Sequence, residues 1–157
     1  MANDDTRGPA LLCWDGSDGA LRAIQSAASV LGQGHRAIVF FAHVPTESAR
    51  GVLGGLSGPD APIMGIGDAE DLLERGVTAA RDAGFEADGL RIAAEGKTSE
   101  IIGETAAEHD ALLIVMGQRK RSALGTLVLG SVAREVLSAD HRPVMLIGPG
   151  SSGPARR

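Results

Sequence analysis

A chain of 157 residues is about one domain's worth, and its 43% apolar and 22% charged residues mark a globular protein rather than a disordered or fibrous one. The net charge of -5 excludes a surface built as a whole to neutralise nucleic-acid phosphates, and no apolar run approaches the roughly 18 residues of a membrane span. The single cysteine, Cys13, excludes an internal disulfide and a multi-thiolate metal site; the acidic opening Met-Ala-Asn-Asp-Asp is unlike a secretory leader, so a reducing cytoplasm is the expected compartment.

With three Phe, one Trp and no Tyr, the core must come from Leu, Ile, Val and Ala. The first apolar run, Ala10 to Trp14, has the length of a strand buried on both faces. Leu21, Ile24, Ala27, Ala28 and Leu31 then recur at helical spacing. A second buried strand is expected over Ala37 to Ala42, and the stretch from Pro45 to Gly67, with three prolines and six glycines, reads as a mobile loop. A helix over about Asp68 to Ala83 leads to an edge strand, Leu90 to Ala93, in which Arg91 lies between Leu90 and Ile92. Next come a helix over about Ser99 to His109, a buried strand over Ala111 to Met116, an amphipathic helix carrying Leu129, Val132, Ala133, Val136 and Leu137, and a last strand, Val144 to Ile147. This β-α alternation predicts a three-layer α/β sandwich around a five-stranded parallel sheet with right-handed crossovers. Residues 1–8 and 149–157 are expected to be flexible ends of a single domain over 9–148.

Two glycine motifs mislead. Gly32-Gln33-Gly34-His35-Arg36-Ala37 fits the dinucleotide fingerprint, but it follows a helix and precedes a strand, the reverse of what pyrophosphate binding needs; a helix C-cap and turn is expected. Gly96-Lys97-Thr98 resembles the end of a P-loop without its first glycine, and reads as a turn with Thr98 or Ser99 as the N-cap. The four histidines show no metal-ligand spacing. His109 and His141 fall near helix C-termini, while His43 ends the second strand at the face where such sheets bind ligands.

The segment Val115 to Val132 carries more. It leaves a strand at Gly117, holds three cations at Arg119, Lys120 and Arg121, and enters a helix at Gly130-Ser131. Glycine backbone, a helix N-terminus and a hydroxyl can cradle a phosphate; the same segment can equally be a surface loop with Ser131 as N-cap. Asp15-Gly16-Ser17 ends the first strand, where a carboxylate can accept from ribose hydroxyls or cap the following helix. In a sheet ordered 3-2-1-4-5, Asp15 and Gly117 flank the crevice at which the connections reverse direction.

Residues 9 to 147 together resemble a universal stress protein domain, of the adenine nucleotide alpha hydrolase-like fold: strand ends at Asp15-Gly16-Ser17 and His43-Val44, a Met116-Gly117 exit and a final Pro143-Val144 strand. The family pattern G-x2-G-x9-G-[ST] is met by Gly117 and Gly130-Ser131 at the right spacing, with Lys120 in place of the second glycine. The resemblance implies an adenine nucleotide, ATP with or without Mg, as a regulatory ligand. Asp15 and Val44 would face the adenosine, and Met116, Gly117, Lys120, Gly130 and Ser131 the phosphate end. A homodimer through Val144 to Ile147 is expected because that apolar strand would lie at a sheet edge, and the resemblance also favours it; the charge and hydropathy leave no nucleic-acid or membrane partner expected. The alternative is a nucleotide-free dimeric scaffold acting through protein partners. An ATP-consuming enzyme is the third reading, but no S-G-G-x-D-S loop is present, so slow hydrolysis is the most that is expected.

Overall fold

The computed structural model describes residues 7–49, 61–118, 129–139 and 142–148. Its elements run β1 (Ala10–Cys13), α1 (Asp18–Leu31), β2 (Arg36–Pro45), β3 (Ile63–Met64), α2 (Ile66–Ala83), β4 (Glu86–Ala93), α3 (Thr98–Glu108), β5 (Leu113–Gly117), α4 (Ser131–Ala139) and β6 (Val144–Ile147). β4, β2, β1, β5 and β6 are neighbours in that order and all their pairings are parallel. This is the expected 3-2-1-4-5 sheet. Six strands are present rather than five, because the stretch read as loop contributes the two-residue β3, paired to the end of β2 at Val44 and Pro45. Two residues between prolines and glycines are too short for any periodicity to reveal.

Side-chain alternation divides the core. Ala10 and Leu12 of β1, Val39 of β2 and Val115 of β5 pack with Ala23, Ile24 and Ala27 of α1 and Val77 and Ala80 of α2. Their neighbours Leu11, Phe40 and Ile114 pack with Ile102 and Ala106 of α3 and Ala133 and Val136 of α4. Each such Leu or Ile contributes ~1.5–3 kcal/mol by leaving water. The connections leaving β1 therefore cross one face and those leaving β5 the other, so the sheet reverses direction between these two adjacent strands.

Local chemistry sets the helix ends. Gly32, at φ 87°, caps α1 with its amide on the Ala28 carbonyl (2.9 Å), and Gly34 at φ 76° completes the turn, as expected for the false fingerprint. α3 departs from expectation: its N-cap is Lys97, without a side-chain cap bond, and neither Thr98 nor Ser99 fills that place. Ser99 is inside the helix, where its hydroxyl donates to the Glu135 carboxylate on α4 at 2.7 Å. A partner on another helix outcompetes the local cap.

Candidate functional site

β1 delivers its C-terminus to the reversal point. The Trp14 amide still reaches the Phe40 carbonyl at 2.9 Å, after which the chain turns away through Gly16 at φ 79°, a conformation open to glycine. Asp15 Oδ1 accepts from the Ser17 amide at 2.8 Å, and Ser17 Oγ accepts from the Ala20 amide at 3.1 Å. Ser17 is thus the N-cap of α1, and Asp15 is not. The carboxylate is held at the mouth of the crevice, beside the positive end of the α1 dipole.

Two residues that the sequence did not single out fix this turn. Trp14 is 7% exposed; its indole N–H donates to the Leu72 carbonyl of α2 at 2.8 Å, and its ring covers Gly76, where a Cβ would come within 2.7 Å. Gly19, in the first turn of α1, lies backbone to backbone against Gly117: a Cβ on Gly117 would overlap the Gly19 carbonyl. That contact brings the Asp15 turn and the β5 exit together, as the strand order requires. A lone tryptophan before Asp15 and the repeated glycine of Asp-Gly-Ser-Asp-Gly were the available signals.

The other expected residues sit at the same end of the sheet, with different parts exposed. Met116 is 8% exposed and its side chain joins the core beneath α3 and α4, so the strand exit is offered by backbone. Val44 is buried and its amide already donates to the Pro62 carbonyl at 2.8 Å. Gly130 and Ser131 are exposed; the Gly130 carbonyl accepts the first helical bond, from the Arg134 amide at 3.0 Å, so α4 begins directly after it. Because β5 and β6 are parallel, this N-terminus opens at the C-terminal end of the strands. Arg119, Lys120, Arg121 and His141 lie outside the described residues.

Two titratable groups near the turn are poised away from reactivity. Burial pushes the Cys13 thiol up to about 12, with the Asp15 carboxylate adding to the rise. His43 is fully buried, stacked on Phe41 at 6.0 Å between ring centroids. Burial first and the Arg91 guanidinium second hold His43 below the ordinary histidine range, opposed by the backbone at Ile92. By alternation along β2 from Val39 it lies on the α1/α2 face of the sheet. No described helix is long and apolar enough to cross a membrane.

A parallel sheet with a reversal point, a strand-end carboxylate and helix N-termini opening beside it defines the class of α/β domains that hold ligands at the carboxyl ends of their strands. The universal stress protein family model matches residues 7–148, and the chain belongs to that family. A universal stress protein from Thermus aquaticus is 32% identical in an alignment of 145 residues that covers 87% of this chain and 96% of that protein. The universal stress protein of Archaeoglobus fulgidus superposes with a TM-score of 0.68 at 28% identity, covering 89% of this chain and 98% of the other. A universal stress protein from Archaeoglobus fulgidus in complex with dAMP superposes with a TM-score of 0.64 at 23% identity, covering 89% of this chain and 97% of the other.

Proposed function

We propose that this chain is a nucleotide-binding universal stress protein module that takes an adenine nucleotide, ATP foremost, as a regulatory ligand in the crevice between β1 and β5. The observation that carries this reading is the backbone contact of Gly19 with Gly117, which sets the Asp15 carboxylate and the β5 exit at one mouth. Asp15 would accept from the ribose hydroxyls, and Val44 would line the nucleoside. Met116 and Gly117 would offer backbone toward the phosphate end, with Gly130, Ser131 and the α4 N-terminus on the phosphates and Lys120 supplying charge. The donor set suits an anion: exposed amides at a helix start, a hydroxyl, and glycines without side chains. Among the described residues no group of three or more His, Cys, Asp or Glu could hold a metal. Magnesium, if used, would therefore arrive on the phosphates. A relative solved with dAMP supports the adenine class.

Binding rather than turnover fits the groups present, since His43 is fully buried and burial raises the Cys13 thiol. The protein would act in the cytoplasm as a homodimer paired along β6. One observation favours the nucleotide-free scaffold instead: the Val44 amide is already satisfied within the chain.

Isothermal titration of ATP against the parent and Asp15→Ala separates the readings. A charged hydrogen-bond acceptor contributes about 1.5–3 kcal/mol, so Asp15→Ala should weaken ATP roughly 10- to 100-fold while melting near the parent temperature. Equal affinity in the two proteins removes Asp15 from the site. No binding by the parent, together with no nucleotide retained in native mass spectrometry, leaves the scaffold.

A further inference from the structure

The residues that precede α2 pair with β2 at its C-terminal end. Successive residues of a strand turn their amide and carbonyl to opposite edges. The Phe40 carbonyl accepts from the Trp14 amide on the edge facing β1, whereas the His43 carbonyl accepts from the Ala94 amide on the edge facing β4. Val44 therefore faces the β1 edge again, four residues past the last β1 pairing, Cys13 with Phe40. β1 has ended there and β3 takes its place: the Val44 amide donates to the Pro62 carbonyl at 2.8 Å and the Thr46 amide to the Met64 carbonyl at 3.3 Å. β3 thus lies directly beyond the point at which Asp15 leaves the sheet.

We infer that Pro62 to Met64 form a displaceable strap across the mouth of the crevice, so that pairing of β3 with β2 and occupation by an adenine nucleotide exclude one another. This rests on the proposed nucleotide site and adds its regulation. The strap is built to yield. It pairs through two residues only, and Pro62 has no amide to give. Ile63 is 52% exposed and Ile66 45%, so apolar side chains at this edge are poorly covered. At one end Ala61, 8% exposed, is anchored in the α3/α4 core. At the other, Gly65 begins α2 with no side-chain cap bond, and a Cβ there would meet only the Asp68 carboxylate, at 3.6 Å. The chain between can lift while both ends stay in place. Displacement would free the Val44 amide and the β2 edge beside Asp15 for the ligand.

The parallel register sets the Met64 amide against the Val44 carbonyl, so Met64→Pro removes one strap bond and Ile63→Gly loosens the other residue. A closed strap taxes affinity by the fraction of molecules that are open; if about one in ten is open, releasing it tightens binding about tenfold. ATP titration of the parent and both variants, with hydrogen exchange at the Met64 amide of the parent, tests this. The expected result is about tenfold tighter ATP binding in the variants, or binding that appears only in them, and faster Met64 exchange when the parent is saturated. Parent binding without tightening in either variant, or a Met64 amide equally protected with ATP bound, overturns the strap and leaves the nucleotide site standing. Absence of adenine-nucleotide binding in all three proteins overturns both.

Discussion

Asp15 is pinned through its neighbours. Trp14 bonds to the Leu72 carbonyl, and a Cβ on Gly16 would come within 2.7 Å of the Leu72 side chain, so both residues flanking Asp15 are positioned by α2. Gly76→Ala should push the Trp14 ring from its place, at about 1–3 kcal/mol in urea denaturation, and should weaken ATP binding although Gly76 is buried on the inner face of α2. Unchanged affinity in that variant would show that Trp14 does not steer Asp15. Acid sensitivity belongs to His43: its native pKa lies below the 6.5 of the unfolded chain, so the unfolded state takes the proton first. Stability should therefore fall as pH drops below about 6.5, and His43→Gln should flatten that fall in denaturation between pH 5 and 7.5. The Cys13 thiol, raised from 9.0 to about 12, has the opposite sense: the unfolded chain ionises first and stability falls above about 9. Of the candidate site residues, Asp15 and Gly117 could be singled out from strand ends and glycine spacing, which are local patterns, and Val44 from the family resemblance. Trp14 and Gly19 could not, since their partners, Leu72 and Gly117, are set by how the elements stack.

At the scale of elements, the long periodic helices and the apolar strands were readable, and misreadings fell where a distant partner overrides local preference. Ser17 is the cap that local rules predict; Ser17→Ala should cost about 1 kcal/mol, measurable by thermal or urea unfolding. Ser99 follows no local rule, because Glu135 on α4 takes its hydroxyl, with Lys97 Nζ 3.9 Å from the same carboxylate. β4 begins at Glu86, four residues before the apolar pattern of Leu90 to Ala93, since pairing with β2 extends the strand through Asp88 and Gly89. Gly89 is required there: a Cβ would come within 2.9 Å of Val77 on α2. β3 was invisible for the converse reason, an element of two residues whose existence depends on the β2 edge left open by β1.

Across the whole molecule, the strand order followed from alternation and crossover handedness, and the reversal point followed from the order. The geometry of the candidate site was legible to the same extent: topology places Asp15 and Gly117 side by side, while the engagement of Val44 by Pro62 depends on a segment without sequence pattern. The β6 edge extends beyond topology. Its four residues, Val144 to Ile147, are only half-buried and among the described residues pair with β5 alone, so a second copy along this edge should cover them. Light scattering at micromolar concentration should return twice the 16.1 kDa of the chain; a strictly monomeric mass contradicts the dimer. The central claim is an adenine nucleotide seated between β1 and β5, and amide chemical shifts followed during ATP titration test it most directly. The account predicts shifts concentrated at Asp15 to Gly19, Val44, Gly117 and Gly130-Ser131, all saturating with one affinity. Shifts confined to other surfaces, such as the groove between α3 and α4 lined by Glu104, Val136 and Arg142, or no shifts at millimolar ATP, would contradict it.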